Sequence, residues 1–172
     1  MRTLVENKFK NYSVYLGENI WGKLRSSDLE VLKKKLPQPD KKLLKYIKNF
    51  SENNIIFFYP AVPYYHKNHL NLLKAFNLFC TNSKKSSKLV LTISEIEYDK
   101  FKFNNDNVIC TGQISYQDTL HLYEFVDYLI YPSISESYGM PLVESEISNI
   151  KIVASNLEYV REVCKPYKVF NP

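Results

Sequence analysis

Two glutamates, Glu136 and Glu144, bracket the segment Ser137-Tyr138-Gly139-Met140-Pro141-Leu142-Val143, and their types and spacing suit chemistry better than any other stretch of the chain. Pro141 fits a first helical position, where its fixed φ is already helical and its missing N–H is not needed. A helix opening there leaves the amides of Met140, Leu142 and Val143 without intrahelical partners. The macrodipole adds roughly half a positive charge at the same end. Such a helix start is an anion cradle. Gly139, just ahead of it, permits a positive φ or the close approach of a phosphate. Carboxylates beside an anion site repel phosphate but accept hydrogen bonds from hydroxyls. The pair therefore suits a ligand that is part diphosphate and part polyol, as a nucleotide sugar is. The residues alone leave a second reading open, in which Glu144 complements the helix dipole and Glu136 is simply solvated.

A second cluster is Pro60-Ala61-Val62-Pro63-Tyr64-Tyr65-His66-Lys67-Asn68. A lysine at the mouth of a helix opposes the dipole unless an anion lies between them, so Lys67 is placed to clamp a diphosphate or else is solvated. His66 assists it or caps the helix. Thr111-Gly112-Gln113 forms a compact turn at which Gly112 lets a flat base lie against backbone. His69 and His121 have no constellation around them. Cys80, Cys110 and Cys164 are far apart and odd in number, which points to buried thiols rather than a disulfide framework or a CxxC metal site.

The elements that must position these residues emerge from residue 54 onward, where apolar runs alternate with segments of helical period. Strands are predicted at 55–59, 89–93, 108–110, 128–131 and 152–154. A core-facing helix is predicted over 66–81, where Leu70, Leu73 and Cys80 recur on one face. Ser115 and Asp118 read as a capping box for a helix with Leu122, Tyr123, Phe125 and Val126 inward. Ser155 and Glu158 read as another, opening a short helix through Val163. Strands joined by helices imply right-handed crossovers and a doubly wound parallel α/β sheet, Rossmann-like, with ligands beyond the carboxyl ends of the strands. The loops after Tyr59, Cys110 and Tyr131 are then the places for a site.

Residues 1–50 form a basic helical segment or linker ahead of the 51–172 domain, with helices near 28–36 and from Asp40, the second striped by Leu43, Leu44, Ile47 and Phe50. They carry twelve Lys/Arg against five Asp/Glu, whereas residues 51–172 carry eleven against thirteen. The basic excess is therefore wholly N-terminal, as a solvated helix face or a peripheral membrane contact would be. It lacks the interleaved aromatics of a nucleic-acid module. No apolar run reaches the length of a membrane span and the N-terminus lacks a secretory core, so a cytoplasmic location is expected, with the inner membrane face as a variant.

From about residue 55 to Pro172 the chain resembles the retaining glycosyltransferases of family 4, the group 1 glycosyl transferases of GT-B fold. The resemblance is carried by Glu136-x7-Glu144 in its Tyr131-to-Glu144 context, Tyr59-Pro60-Ala61 with His66-Lys67-Asn68, Gly112 after its strand, Leu122-Tyr123 before Tyr128, and Tyr159-Val160-Arg161-Glu162-Val163. It implies one half of a GT-B architecture, in which Glu136 contacts the donor sugar near the reacting centre and Glu144 takes the ribose hydroxyls. Gly139, Met140, Leu142 and Lys67 would hold the diphosphate. It implies no metal, in keeping with the absence of any Asp-x-Asp pair. Members commonly carry an arginine a few residues before the lysine; here Val62 and its neighbours leave that cation out. Members also have an acceptor-binding domain, so the resemblance implies a glycan or lipid-linked acceptor bound by a missing domain or a second chain.

Overall fold

The computed structural model describes residues 26–172. The N-terminal half of the basic segment and the start of the chain lie outside the described residues. Six parallel strands form one sheet in the order β3-β2-β1-β4-β5-β6: β1 Ile55–Tyr59, β2 Ser87–Leu91, β3 Val108–Cys110, β4 Tyr128–Tyr131, β5 Lys151–Ser155 and β6 Lys168–Phe170. The order runs outward in both directions from the β1/β4 junction, which makes that junction the topological switch point. The doubly wound α/β fold is thus the one observed.

Strand alternation divides the sheet into two faces. Ile56, Phe58, Leu129 and Ile152 are fully or almost fully buried on one of them, each such side chain contributing about 1.5–3 kcal/mol. This face is covered by α2 Lys41–Ser51, α5 Tyr116–Leu122, the 3-10 turn Tyr123–Phe125 and α6 Met140–Ile147. Phe58 meets Tyr123 edge-on at 5.6 Å. On the other face α3 His69–Asn82 covers β1 and β2, with Phe57 against Phe76 at 6.0 Å. Helix α1 Ser26–Lys35 adds Leu29 to the core and pairs Lys33 with Glu124 at 2.8 Å. Helix α2, which the sequence assigns to the segment ahead of residue 51, contributes Ile47 to the same core. Its N-cap Asp40 donates a backbone amide to Asp118 at 2.7 Å, and Asp118 also closes the capping box of α5 with Ser115.

Several expectations need correction. The second strand is shifted two residues toward the N-terminus, because Leu89 must pair with Phe57 to keep the row of side chains level. The helix expected over 66–81 is two elements, a 3-10 turn Tyr65–Lys67 and α3, parted by Asn68 at φ 59°. Lys67 therefore stands ahead of the helix rather than in its first turn. Ser155 makes no cap: it ends β5 with its hydroxyl buried and unpartnered, and Leu157 precedes α7 Glu158–Val163. Two elements went unforeseen, α4 Glu95–Asp99, opened by a Ser94/Glu97 capping box, and the edge strand β6.

Candidate functional site

Loop 60–68 leaves the end of β1 and loop 132–139 leaves the end of β4, so the switch point brings them side by side. Hydrogen bonds stitch them together. The Ile134 amide donates to the His66 carbonyl at 2.8 Å, and Asn68 Nδ2 donates to the Pro132 carbonyl at 3.2 Å. Tyr59, fully buried, donates its hydroxyl to the Lys67 carbonyl at 2.9 Å. With that proton committed, Ser133 Oγ donates to Tyr59 at 2.8 Å, and Tyr159 donates to the Ser133 carbonyl at 2.8 Å.

The product of this stitching is a contact between Lys67 Nζ and Glu136 Oε1 at 2.5 Å, with the two side chains 16% and 11% exposed. Tyr131 bonds Glu136 as well, and its hydroxyl lies 3.5 Å from where a side chain on Gly139 would begin. Lys67, Glu136 and the start of α6 therefore form one cluster. Burial, and after it the Glu136 charge, raises the hydroxyl pKa values of Tyr131 and Tyr159. Burial raises that of Tyr59 too, so all three remain neutral donors.

The helix start differs from expectation in one detail. Gly139 is the N-cap at φ 80°, Met140 is the first helical residue and Pro141 the second. The Leu142 amide turns back to the Gly139 carbonyl at 2.9 Å and so is not open. Among the described residues no acceptor takes the Met140 amide. Val143 is buried beneath this turn.

Glu144 is placed differently from Glu136. It is 5% exposed and points to the α5 side, where the Tyr123 hydroxyl donates to Oε2 at 3.1 Å and Tyr116 adds a second bond. Burial outweighs both bonds and pushes its carboxyl up to about 7. The structure thus brings Glu136 together with Lys67 and holds Glu144 among tyrosines.

Gly112, at φ 69°, follows β3 and has open space around it, and its amide donates to the Ile93 carbonyl at 2.9 Å. The His66 ring stacks on Tyr64 at 5.9 Å rather than capping α3. His69 is enclosed by Tyr59 and Phe101, with neither ring nitrogen in hydrogen-bonding geometry. Its pKa falls to about 4 through burial, which the nearby Ala61 backbone only partly offsets. All three cysteines are free, and burial raises the thiols of Cys110 and Cys164 to about 11 and about 12. No group of three His, Cys, Asp or Glu gathers into a metal site among the described residues. No helix among them is long and apolar enough to cross a membrane. The residues that sequence reasoning missed are Tyr59, Tyr131, Ser133 and Tyr159, since tyrosines at strand ends look like core aromatics until their hydroxyls find partners.

The chain matches the profile of the family described as "Glycosyl transferases group 1" over residues 40–171. This protein belongs to the group 1 glycosyl transferases. The match takes in helix α2, beginning earlier than the resemblance near residue 55. Solved structures agree on the fold of this group 1 chain. An alpha,alpha-trehalose-phosphate synthase (UDP-forming) from Burkholderia xenovorans aligns with a TM-score of 0.66 at 10% identity, covering 87% of this chain and 39% of that one. The N-terminal domain of trehalose-6-phosphate phosphatase from Candida albicans aligns at 0.62 and 11% identity, over 87% and 37%. The C-terminal domain of a glycosyl transferase group 1 family protein from Francisella tularensis aligns at 0.58 and 14% identity, over 74% and 73%. The chain spans little more than a third of the first two, and the Rossmann-like half of a GT-B architecture is what it shares with them. No curated protein matches the chain.

Proposed function

We propose that this group 1 glycosyl transferase domain binds a nucleotide-diphosphate sugar and presents it for retaining transfer to a glycan or lipid-linked acceptor. The observation that carries the reading is the Lys67–Glu136 contact beside the Gly139–Met140 helix start at the β1/β4 switch point. Departure of the diphosphate breaks the sugar C1–O bond and leaves the electron pair on phosphate oxygen. Lys67 and the open Met140 amide are the groups that meet that charge, a preorganised donor being worth roughly 3 kcal/mol. The sugar cation left behind bonds the acceptor hydroxyl oxygen on the face the diphosphate vacated, and the hydroxyl proton passes to the departing phosphate oxygen. Glu136 receives the sugar hydroxyls near that centre. Glu144 receives the ribose hydroxyls, the Gly112 turn takes the base, and His66 borders the phosphates. The charge is met by protein groups in this reading, so no metal is assigned. The acceptor would come from a further domain or a second chain, and the basic excess of residues 1–50 suits a hold on an anionic membrane face.

Saturation-transfer NMR with UDP-, GDP- and ADP-sugars tests the reading. One base series should give transfer to the ligand and lose it in Lys67→Ala, whereas a silent panel would remove the donor site. A second reading, a non-catalytic nucleotide-sugar-binding module, draws on Glu144, whose carboxylate is already taken by tyrosines. Acceptor-dependent release of nucleoside diphosphate separates the two.

A further inference from the structure

With histidine counted as neutral, each loop at the switch point carries a single formal charge. Lys67 is the charged side chain of 60–68, and Glu136 is that of 132–139. The two meet at 2.5 Å, so cation and carboxylate cancel beside the helix start of α6. Among the described residues Lys67 Nζ donates to no other group. Glu136 has a second anchor in the Tyr131 hydroxyl, which holds the carboxylate in place when the ammonium turns away. The backbone on either side is fixed as well. Tyr59 holds the Lys67 carbonyl at 2.9 Å, the Ile134 amide holds the His66 carbonyl at 2.8 Å, and Asn68 holds the Pro132 carbonyl at 3.2 Å. The loops therefore stay joined without the ion pair. Opening it asks only for rotation of side chains.

We propose that Glu136 shifts the preference of the site from spent nucleoside diphosphate to intact donor by competing with the diphosphate for Lys67. The inference rests on the donor reading above. The phosphates of the spent product offer Glu136 only acceptor oxygens. They can take Lys67 only by leaving a largely buried carboxylate without its cation, and an unpaired buried charge is costly. The sugar of an intact donor brings hydroxyls to Glu136. These replace the ammonium as hydrogen-bond donors to the carboxylate while Lys67 turns to the phosphates. Once the sugar has been transferred, Glu136 recaptures Lys67 and the diphosphate loses its cation. The same contact thus favours loading and release.

Calorimetry on the full chain tests this, with the UDP-, GDP- or ADP-sugar that the NMR panel selects and the free nucleoside diphosphate of the same base. Glu136→Gln should bind the diphosphate about fivefold more tightly than the unaltered chain and the donor about twofold more weakly, so the ratio of donor to diphosphate affinity falls about tenfold. Glu136→Ala frees Lys67 equally and carries the same expectation, so a misfolded glutamine variant does not end the test. In a Lys67→Ala background, Glu136→Gln should leave diphosphate affinity within about twofold, because no cation remains to be released. An unmoved ratio in the Glu136 variants would overturn the inference while the donor reading stands. So would a gain that persists without Lys67, which direct repulsion of phosphate by Glu136 would produce. An unaltered chain that binds neither ligand would remove the donor reading and this inference together.

Discussion

At the scale of single residues, Lys67 is the cation that the β1 loop offers where an arginine is missing. Its removal should lower affinity for the preferred nucleoside diphosphate by ten- to a hundredfold, the equivalent of about 1.5–3 kcal/mol for a charge-assisted contact. Calorimetry on Lys67→Ala measures it, and unchanged affinity would sink the assignment. Glu144 and His69 make an opposed pair in pH. Glu144 titrates near 4.5 unfolded and at about 7 folded, so the folded chain holds the extra proton between those values. Its contribution, about 3 kcal/mol, is complete below pH 4.5 and lost as pH rises to 7. His69 titrates near 6.5 unfolded and about 4 folded. Its neutral burial stabilises fully above pH 6.5 and is lost as pH falls toward 4. Between pH 4.5 and 6.5 the two slopes cancel. Thermal melts should therefore show stability rising with pH in Glu144→Gln and falling with pH in His69→Phe; parallel curves in both variants would exclude this account.

At the scale of elements, the turn into α6 rests on Gly139. An alanine there carries the left-handed φ penalty of about 1–2 kcal/mol. Its Cβ would also stand 2.9 Å from Leu142 Cδ1 and 3.5 Å from the Tyr131 hydroxyl. Gly112→Ala carries the φ penalty alone, since nothing lies within 4 Å. Urea unfolding should rank Gly139→Ala below Gly112→Ala in stability, and equal losses would show that Leu142 moves aside freely. Much of this turn was legible beforehand, because glycine and proline state their φ requirements locally. The capping box at Ser115 was equally legible and formed. Its look-alike at Ser155 did not form, since pairing with Phe170 keeps Ser155 in β5. That choice depends on a strand thirteen residues away, beyond the reach of local capping chemistry.

At the scale of the whole molecule, α2 belongs with the sheet it precedes. A chain begun at residue 52 would lose Ile47 from the core and the Asp40–Asp118 bond, a loss of several kcal/mol against a typical total of about 5–15. It should show no cooperative thermal transition, while one begun at Asp40 should keep one at a lower midpoint. Circular dichroism decides, and a sharp transition from residue 52 onward would show that the sheet stands without α2.

Hydrophobic period and turn chemistry are local properties, so the sequence by itself determined the parallel α/β class, five of the six strands within two residues, and the glycine-led start of α6. It also identified Lys67 and Glu136 as residues of interest, though with separate tasks. Only the tertiary structure decided that they touch, because sixty-nine positions part them and only the strand order lays their loops together. Tertiary packing likewise turned Glu144 toward Tyr123. Burial is a property of three-dimensional neighbours, and no spacing along a chain encodes which side of a helix the rest of the molecule will cover.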